Sequence, residues 1–165
     1  MTAPDTTRAP DATRDTIRDS TRTTTPDENL ALVRRFYEAY GRYDLDAMRE
    51  TLAPDISWHI PGRHPLAGTH HGLDELMAFF GELARSAFKA EVLYLGADEN
   101  YVVDLHRGWS NREDGDDLDQ VWVLVYQIRD GRIAEVRDFA SDQAAADDFF
   151  NRHHRLAPID RRLAG

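Results

Sequence analysis

Four histidines lie in or beside one Gly- and Pro-rich loop and are candidates for binding a metal or moving protons: His59, His64, His70 and His71. Imidazole is a common zinc ligand, but the spacing of these four matches no recognised ligand template, so we expect no metal and no other cofactor. His64, within the loop, has two readings that the sequence leaves open. It is either a titratable group that shuttles protons, and so a candidate catalytic residue, or an ordinary surface histidine.

The composition excludes several other kinds of chemistry and partner. The 165 residues include no cysteine, which excludes disulfides, thiolate catalysis and cysteine-ligated metals. Asp and Glu number 30 against 20 Lys and Arg, and this net charge of −10 repels phosphate backbones and anionic lipid. We therefore expect neither nucleic acid nor a membrane as a partner. The sequence has no long apolar run and no apolar N-terminal signal, so we expect a cytoplasmic location.

The two ends of the chain differ in composition from the middle. Residues 1–26 are rich in Thr, Arg, Asp and Pro, and Ile17 is their one large apolar side chain after the start. Such a segment buries too little surface to offset its chain entropy. The sequence therefore predicts a disordered tail over 1–26, a folded domain over 27–155 and a flexible end over 156–165.

Helical patterns dominate the first half of the domain. A helix-entry signal at Asp27 opens a stripe of large apolar residues that ends at Gly41. A second, short helix is predicted over 44–52. A third follows Gly72, with apolar residues recurring every three or four positions.

Strands dominate the second half. They are predicted over 56–60, 88–95, 101–109, 121–128 and 133–139, with a hairpin turn at Asp130-Gly131 and a last helix over 144–155. Helices followed by a run of antiparallel strands indicate an α+β fold with the helices on one face of a curved sheet.

The strand over 121–128 is apolar on both faces, because three valines alternate with three large side chains: Trp122, Leu124 and Tyr126. One face can contact the helices, and the other needs a cover of its own. A second copy of the chain is the simplest cover, so we expect a homodimer through the sheet.

The order of elements resembles the nuclear transport factor 2-like superfamily, and its SnoaL-like and ketosteroid isomerase-like branch in particular. The resemblance covers residues 28–152 and is carried by these segments: Asp44-Leu45-Asp46, Ala53-Pro54-Asp55, Trp58-His59-Ile60-Pro61-Gly62, Pro65-Leu66-Ala67-Gly68 and Asp130-Gly131-Arg132-Ile133-Ala134-Glu135. It implies a cone-shaped fold with three N-terminal helices packed on the concave face of the antiparallel sheet. The interior of the cone is then the site. This fold hosts isomerases, cyclases, epoxide hydrolases, dehydratases and non-catalytic binders.

The three acid–base positions of ketosteroid isomerases carry no suitable group here. Alignment places their general base at Ile60, their oxyanion tyrosine near Phe36 and their oxyanion acid near Leu124. Steroid isomerisation by that mechanism is therefore disfavoured. The same alignment implies that a set of side chains lines the pocket and binds the ligand: Trp58, Ile60, Tyr37, Trp122, Leu124, Tyr126 and Val136. The tryptophans are either plain core or a flat floor for an unsaturated ligand.

Asp138 is the main candidate for catalysis. The resemblance places it on the inward face of the last strand, where burial raises the pKa of a carboxyl group towards the range useful for acid–base work. Arg137-Asp138-Phe139 is similar to a segment of limonene epoxide hydrolases in which an Asp works with an Arg, here Arg107. Trp109 stands where those enzymes have a second acid. Asp138 and Arg107 are either catalytic partners or a structural ion pair.

Asp142 lies where SnoaL-like cyclases have an Asp, and it is also placed to cap the last helix. These observations predict a cofactor-independent acid–base enzyme for a hydrophobic small molecule. Its reaction would be cyclisation, isomerisation or dehydration of a polyketide-like or terpenoid-like compound. The alternative is a non-catalytic binding or dimerisation module of the same fold.

Overall fold

The computed structural model describes residues 23–154, which contain four helices and six strands. The helices are α1 (Pro26–Gly41), α2 (Leu45–Thr51), α3 (Gly72–Ala84) and α4 (Gln143–His153). The strands are β1 (Leu52–Ile60), β2 (Gly68–His71), β3 (Lys89–Ala97), β4 (Tyr101–Trp109), β5 (Asp119–Arg129) and β6 (Arg132–Ala140). Within this part of the chain, no helix combines the length and hydrophobicity needed to cross a membrane.

All six strands form one sheet in the order β2-β1-β6-β5-β4-β3. Every pairing is antiparallel except that of β1 with β6, which is parallel. The α1 helix packs on β3 and β4, and α3 packs on β1, so both cover the same side of the sheet. The predicted α+β fold, with N-terminal helices on the concave face of a curved, open sheet, is confirmed.

Two residues before the predicted boundary at residue 27 contribute to the start of α1. Thr25 is the N-cap of α1, and its hydroxyl accepts a hydrogen bond from the Glu28 amide while the Glu28 carboxylate accepts one from the Thr25 amide. Thr24 is buried and its hydroxyl bonds Asn29 Oδ1 at 2.6 Å. Thr24 and Thr25, which fall within the predicted tail, therefore take part in the N-terminal cap of α1. Residues 1–22 of that tail, and residues 155–165 at the other end, lie outside the described residues.

The β2 strand replaces part of a predicted loop. Gly68 and Gly72 adopt φ of +118° and +76°, a region that favours glycine, and the four residues from Gly68 to His71 pair with the end of β1. The strand lies at the edge of the sheet and lacks an apolar alternation. The sequence therefore carried no strand signal there.

Aromatic side chains fill the space between the helices and the concave face. Phe36 of α1 lies 5.6 Å from Trp58, 5.9 Å from Phe80 and 6.5 Å from Tyr126, measured between ring centroids. The α4 helix contributes Phe150, whose ring stacks on Phe88 with 5.7 Å between the centroids and meets Phe149 edge to face at 5.3 Å. This aromatic core is where a cavity remains.

The convex face of the sheet carries an apolar patch that has no covering element among the described residues. Tyr94, Val103 and Phe139 are 61%, 38% and 53% exposed, and three valines of β5 are partly exposed between them. Val103 pairs with Val125, and Phe139 pairs with Val123, so these side chains form one continuous patch. A dimer through this face stays a prediction.

Candidate active site

A cavity of about 90 Å³ lies between α1, α3 and the concave face of the sheet. Its wall is mainly aromatic, and the principal rings are Phe36, Tyr40, Trp58, Phe80, Trp122 and Phe150. Tyr37, His106 and Asp138 bring polar atoms to this wall. A few convergent polar groups in an apolar cavity are typical of a small-molecule site.

Asp138 lies on β6, opposite Leu124 of β5, and lines the cavity. Its Oδ1 atom accepts a hydrogen bond of 2.8 Å from the indole nitrogen of Trp58. Burial raises the pKa of Asp138 to about 8, and the negative charge of Asp104 adds to this rise, while the bond from Trp58 opposes it. At neutral pH most of the carboxyl group is therefore protonated, so it can donate a hydrogen bond or a proton to a bound molecule.

A buried polar cluster adjoins the cavity and centres on Asp104 of β4, which is 0% exposed. Its Oδ2 atom accepts hydrogen bonds from the hydroxyls of Tyr37 at 2.5 Å and Tyr126 at 2.7 Å. Its Oδ1 atom lies 2.8 Å from Nδ1 of His106. The same nitrogen lies 3.1 Å from the Tyr37 hydroxyl. The Asp104 carboxyl group thus has three hydrogen-bonding neighbours, of which the two tyrosine hydroxyls donate to it, as a buried polar group requires.

The two tyrosines of this cluster stay protonated over the accessible pH range. Burial raises the pKa of Tyr37 and of Tyr126 well above its usual value, and the charge of Asp104 contributes to both rises. Each hydroxyl therefore acts as a donor to Asp104.

Most of the side chains predicted to line the pocket do so. The cavity wall includes five of the seven: Trp58, Ile60, Tyr37, Trp122 and Leu124. Tyr126 and Val136 point to the same side of the sheet but are fully buried and do not line the cavity. Tyr126 lies behind the wall, where its hydroxyl holds Asp104.

The predicted pairing of Arg107 with Asp138 is wrong. Arg107 lies on the convex face, because its neighbour on β4, His106, points into the cone and successive side chains of a strand alternate. Its Nε atom donates a hydrogen bond of 2.8 Å to Asp119, and its guanidinium lies 4.8 Å from the ring centroid of Trp109. The structure gives Arg107 no contact with the cavity.

His64 is buried at the cavity wall and is not a surface loop residue. Its Nδ1 atom accepts a hydrogen bond from the Leu66 amide at 3.2 Å, and its Nε2 atom lies 3.1 Å from the Pro61 carbonyl, to which it donates. Burial lowers the pKa of His64, so the ring is mainly neutral at neutral pH. Because both nitrogens bond the backbone of its own loop, the described geometry leaves neither free to shuttle a proton.

His106 and Asp104 were not predicted as site residues from the sequence. They lie on the same face of β4 as Val102, at every second position, and all three are buried on the inner side of the sheet. This alternation was visible in the sequence, but the expected partner of Asp138 was Arg107, which occupies an outward-facing position of the same strand.

Asp142 caps α4, as predicted, since its carboxylate accepts a hydrogen bond of 2.9 Å from the Ala145 amide. Within residues 23–154, no group of three or more His, Asp or Glu side chains is arranged to hold a metal ion.

Comparison with known families settles the relationship. The sequence profile of the SnoaL-like domain matches residues 33–136. The chain belongs to the SnoaL-like domain family. Uncharacterised proteins of Mycobacterium tuberculosis and Mycobacterium bovis are 32% identical to this SnoaL-like chain over 130 residues, which is 76% of this chain and 98% of each relative.

Solved structures place the SnoaL-like chain in the nuclear transport factor 2-like superfamily. Bal32a, from a soil-derived mobile gene cassette, has a TM-score of 0.72 and 32% identity and covers 76% of this chain and 98% of its own. A nuclear transport factor 2-like protein of Burkholderia xenovorans has a TM-score of 0.68 and 25% identity, over 77% of this chain and 98% of its own. A SnoaL-like polyketide cyclase of Jannaschia has a TM-score of 0.62 over 73% of this chain and 90% of its own, and at 19% identity it shows the fold alone.

Proposed function

We propose that this SnoaL-like protein is a cofactor-independent acid–base enzyme that acts on a small hydrophobic molecule, with Asp138 as its acid. The observation that carries the proposal is a carboxyl group in an aromatic cavity, with a pKa raised to about 8 by burial. Keeping such a group in an apolar site costs stability, and perturbed carboxyl groups of this kind concentrate in active sites.

The chemistry follows from the protonation state. A neutral Asp138 donates to a carbonyl or hydroxyl oxygen and stabilises negative charge that develops there. Trp58 and Trp122 provide flat apolar walls for an unsaturated ring. Cyclisation, isomerisation and dehydration of a polyketide-like or terpenoid-like compound can each be catalysed by such a donor. Among proteins of the same fold, TerC was co-crystallised with polyporic acid, so this fold can hold a small molecule.

A second candidate is a non-catalytic small-molecule binder. The cavity of about 90 Å³ is smaller than the cavity of roughly 150 Å³ that takes up benzene in an engineered protein. The Asp138 carboxyl group also has a partner in Trp58 already. A small ligand held without turnover would fit these two observations.

A ligand screen with one variant separates the two candidates. We would measure the thermal shift of the purified chain against small cyclic ketones, lactones, terpenoid epoxides and aromatic polyketides. A ligand at 100 times its dissociation constant adds about 2.7 kcal/mol of stability. We would then follow each hit for conversion by mass spectrometry.

The enzyme proposal predicts turnover that Asp138→Asn abolishes and that Asp119→Asn, an identical change on the convex face, leaves unchanged. Binding without conversion supports the second candidate. If no compound of the panel shifts the melting temperature, both candidates lose their support.

We also propose that the convex face forms a homodimer. The apolar patch around Val123 and Phe139 is bounded by paired charges, Arg107 with Asp119 and Arg137 with Glu135. A second copy of this face therefore meets little net charge, although the whole chain carries −10. Its exposed apolar side chains need a cover.

Sedimentation tests the dimer. Phe139→Arg should convert the dimer to a monomer, because it places an unpaired charge in the centre of the apolar patch. Leu45→Arg on α2, also at an exposed apolar residue, is the matched control and should leave the dimer intact. A wild-type chain that sediments as a monomer at high concentration would overturn this proposal.

A further inference from the structure

We infer that His106 is the general base of the cavity, that Asp104 positions it, and that the substrate carries an acidic C–H bond next to a carbonyl oxygen. This inference rests on the proposed function, since it supplies the base that the acid Asp138 requires. Its evidence is the hydrogen-bond geometry of the cluster on β4.

The surroundings of the Nδ1 atom of His106 fix where the ring proton lies. The two closest polar atoms are Oδ1 of Asp104 at 2.8 Å and the hydroxyl oxygen of Tyr37 at 3.1 Å. The Tyr37 proton is already directed to Oδ2 of Asp104, over 2.5 Å, so its oxygen acts as an acceptor towards the ring. Because both neighbours of Nδ1 accept hydrogen bonds, Nδ1 must carry the ring proton. In the neutral ring Nε2 then carries no proton.

The Nε2 atom is available to a ligand. His106 lines the cavity and is 8% exposed, and the described residues give Nε2 no hydrogen bond. A ring fixed by a buried carboxylate on one nitrogen, with a bare second nitrogen at a cavity, is the arrangement that enzymes use for a histidine base. Tyr126, which bonds the same carboxylate at 2.7 Å, holds Asp104 in place from behind.

The positions of the acid and the base define the substrate. Asp104 and Asp138 both pair with Leu124, from opposite sides of β5, and His106 lies two residues along β4 from Asp104. The backbones of β4 and β6 are therefore about 10 Å apart, and both side chains point into the cone between them. A small carbonyl compound bound there can offer a C–H bond to His106 and an oxygen to Asp138 at the same time.

The proton transfer balances without a co-reactant. The C–H bond next to the carbonyl breaks and its proton goes to Nε2 of His106. The electron pair forms a carbon–carbon double bond, and the carbonyl oxygen takes the proton of Asp138. The substrate becomes its enol, His106 becomes an imidazolium and Asp138 becomes a carboxylate.

The first test needs neither a substrate nor a variant. Nitrogen-15 NMR of histidine-labelled protein at neutral pH distinguishes protonated from bare ring nitrogens. We expect a proton on Nδ1 of His106 and none on Nε2. Asp104→Asn should move the proton to Nε2, because an amide group can donate to Nδ1, whereas the exposed His59 should not change. A wild-type His106 with its proton on Nε2 would overturn the inference.

The second test uses acetone, an uncharged ketone smaller than benzene, as a probe for a base in a cavity of this size. In D2O the base takes a proton from a methyl group and the C–H pair forms the enol double bond as the oxygen is protonated. The carbon then takes a deuteron from solvent while the oxygen gives its proton back, and proton NMR follows the loss of the methyl signal. We expect the wild type to accelerate this exchange. His106→Gln and Asp104→Asn should each lower the rate at least about tenfold, while His59→Gln and Asp119→Asn leave it unchanged.

The variants separate failure of this inference from failure of the proposed function. A rate that falls with Asp138→Asn but not with His106→Gln makes Asp138 the base, which overturns the role of His106 and keeps the acid–base cavity. A rate that depends on neither residue, or the lack of any acceleration by the wild type, overturns the base and also counts against an acid–base cavity.

Discussion

Replacement of Asp138 by Asn is expected to stabilise the protein, and increasingly so as the pH rises. The pKa of Asp138 is about 8 in the folded protein and about 3.8 when unfolded. Because the folded pKa lies above the unfolded one, the stability that the protonated group allows is fully present below about pH 4. It is lost as the pH rises from there through the folded pKa of about 8. Wild type therefore loses stability over this range, whereas an amide at position 138 does not titrate.

The structure sets an upper limit for this effect. Each pH unit between the two pKa values changes the free energy of unfolding by about 1.4 kcal/mol. The gain of Asp138→Asn over the wild type should therefore reach at most about 4 kcal/mol at pH 7 and about 6 kcal/mol above pH 8. The amide oxygen can still accept the bond from Trp58, so the substitution leaves that indole nitrogen paired.

Urea denaturation at pH 5, 7 and 9 measures the effect directly. The free energy of unfolding of Asp138→Asn minus that of the wild type should rise from pH 5 to pH 9. Asp119→Asn, which is exposed and paired with Arg107, should show no such rise. A difference between Asp138→Asn and the wild type that is constant with pH, or a wild type that is the more stable protein at pH 9, would refute the reasoning.

Three further predictions concern the surroundings of this carboxyl group and of the cavity. Trp58→Phe removes the hydrogen bond that lowers the pKa of Asp138, so that pKa should rise above 8 in a carbon-13 NMR titration; an unchanged or lower value would contradict it. Asp104→Asn removes a negative charge that raises the same pKa, so the titration midpoint should fall, and a rise would contradict the assignment. Gly108→Ala places a methyl group 2.8 Å from ring atoms of Trp122, and the clash should cost about 1–3 kcal/mol in urea denaturation; a loss below about 0.5 kcal/mol would contradict it.

Local patterns in the sequence predicted most of the fold. The periodicity of apolar residues identified α1 and α3, and alternation gave β4 with the bounds that the structure shows. β2 was missed because a four-residue edge strand is held by pairing with β1 and buries little apolar surface. The parallel pairing of β1 with β6 was not predicted either, because it joins residues about 80 positions apart and leaves no local trace.

The candidate site was predicted only in part, because it too depends on contacts between residues that are far apart in the sequence. Alternation together with the family resemblance placed Asp138 and Trp58 in the cone, but not the hydrogen bond that joins them. The cluster of Tyr37, Asp104 and His106 depends on contacts between residues 67 and 69 positions apart. A polar residue on an inward-facing position needs a partner, and only the folded arrangement shows which residue supplies it.

Carbon-13 NMR of the Asp138 carboxyl group between pH 4 and pH 10 tests the central claim most directly. The spectrum of Asp138→Asn assigns the signal by its loss. We predict a titration midpoint near pH 8, so that the group is a protonated acid in the cavity at neutral pH. A midpoint near pH 4 would show an ordinary ionised carboxylate at neutral pH, and Asp138 would then not be the acid of an acid–base site.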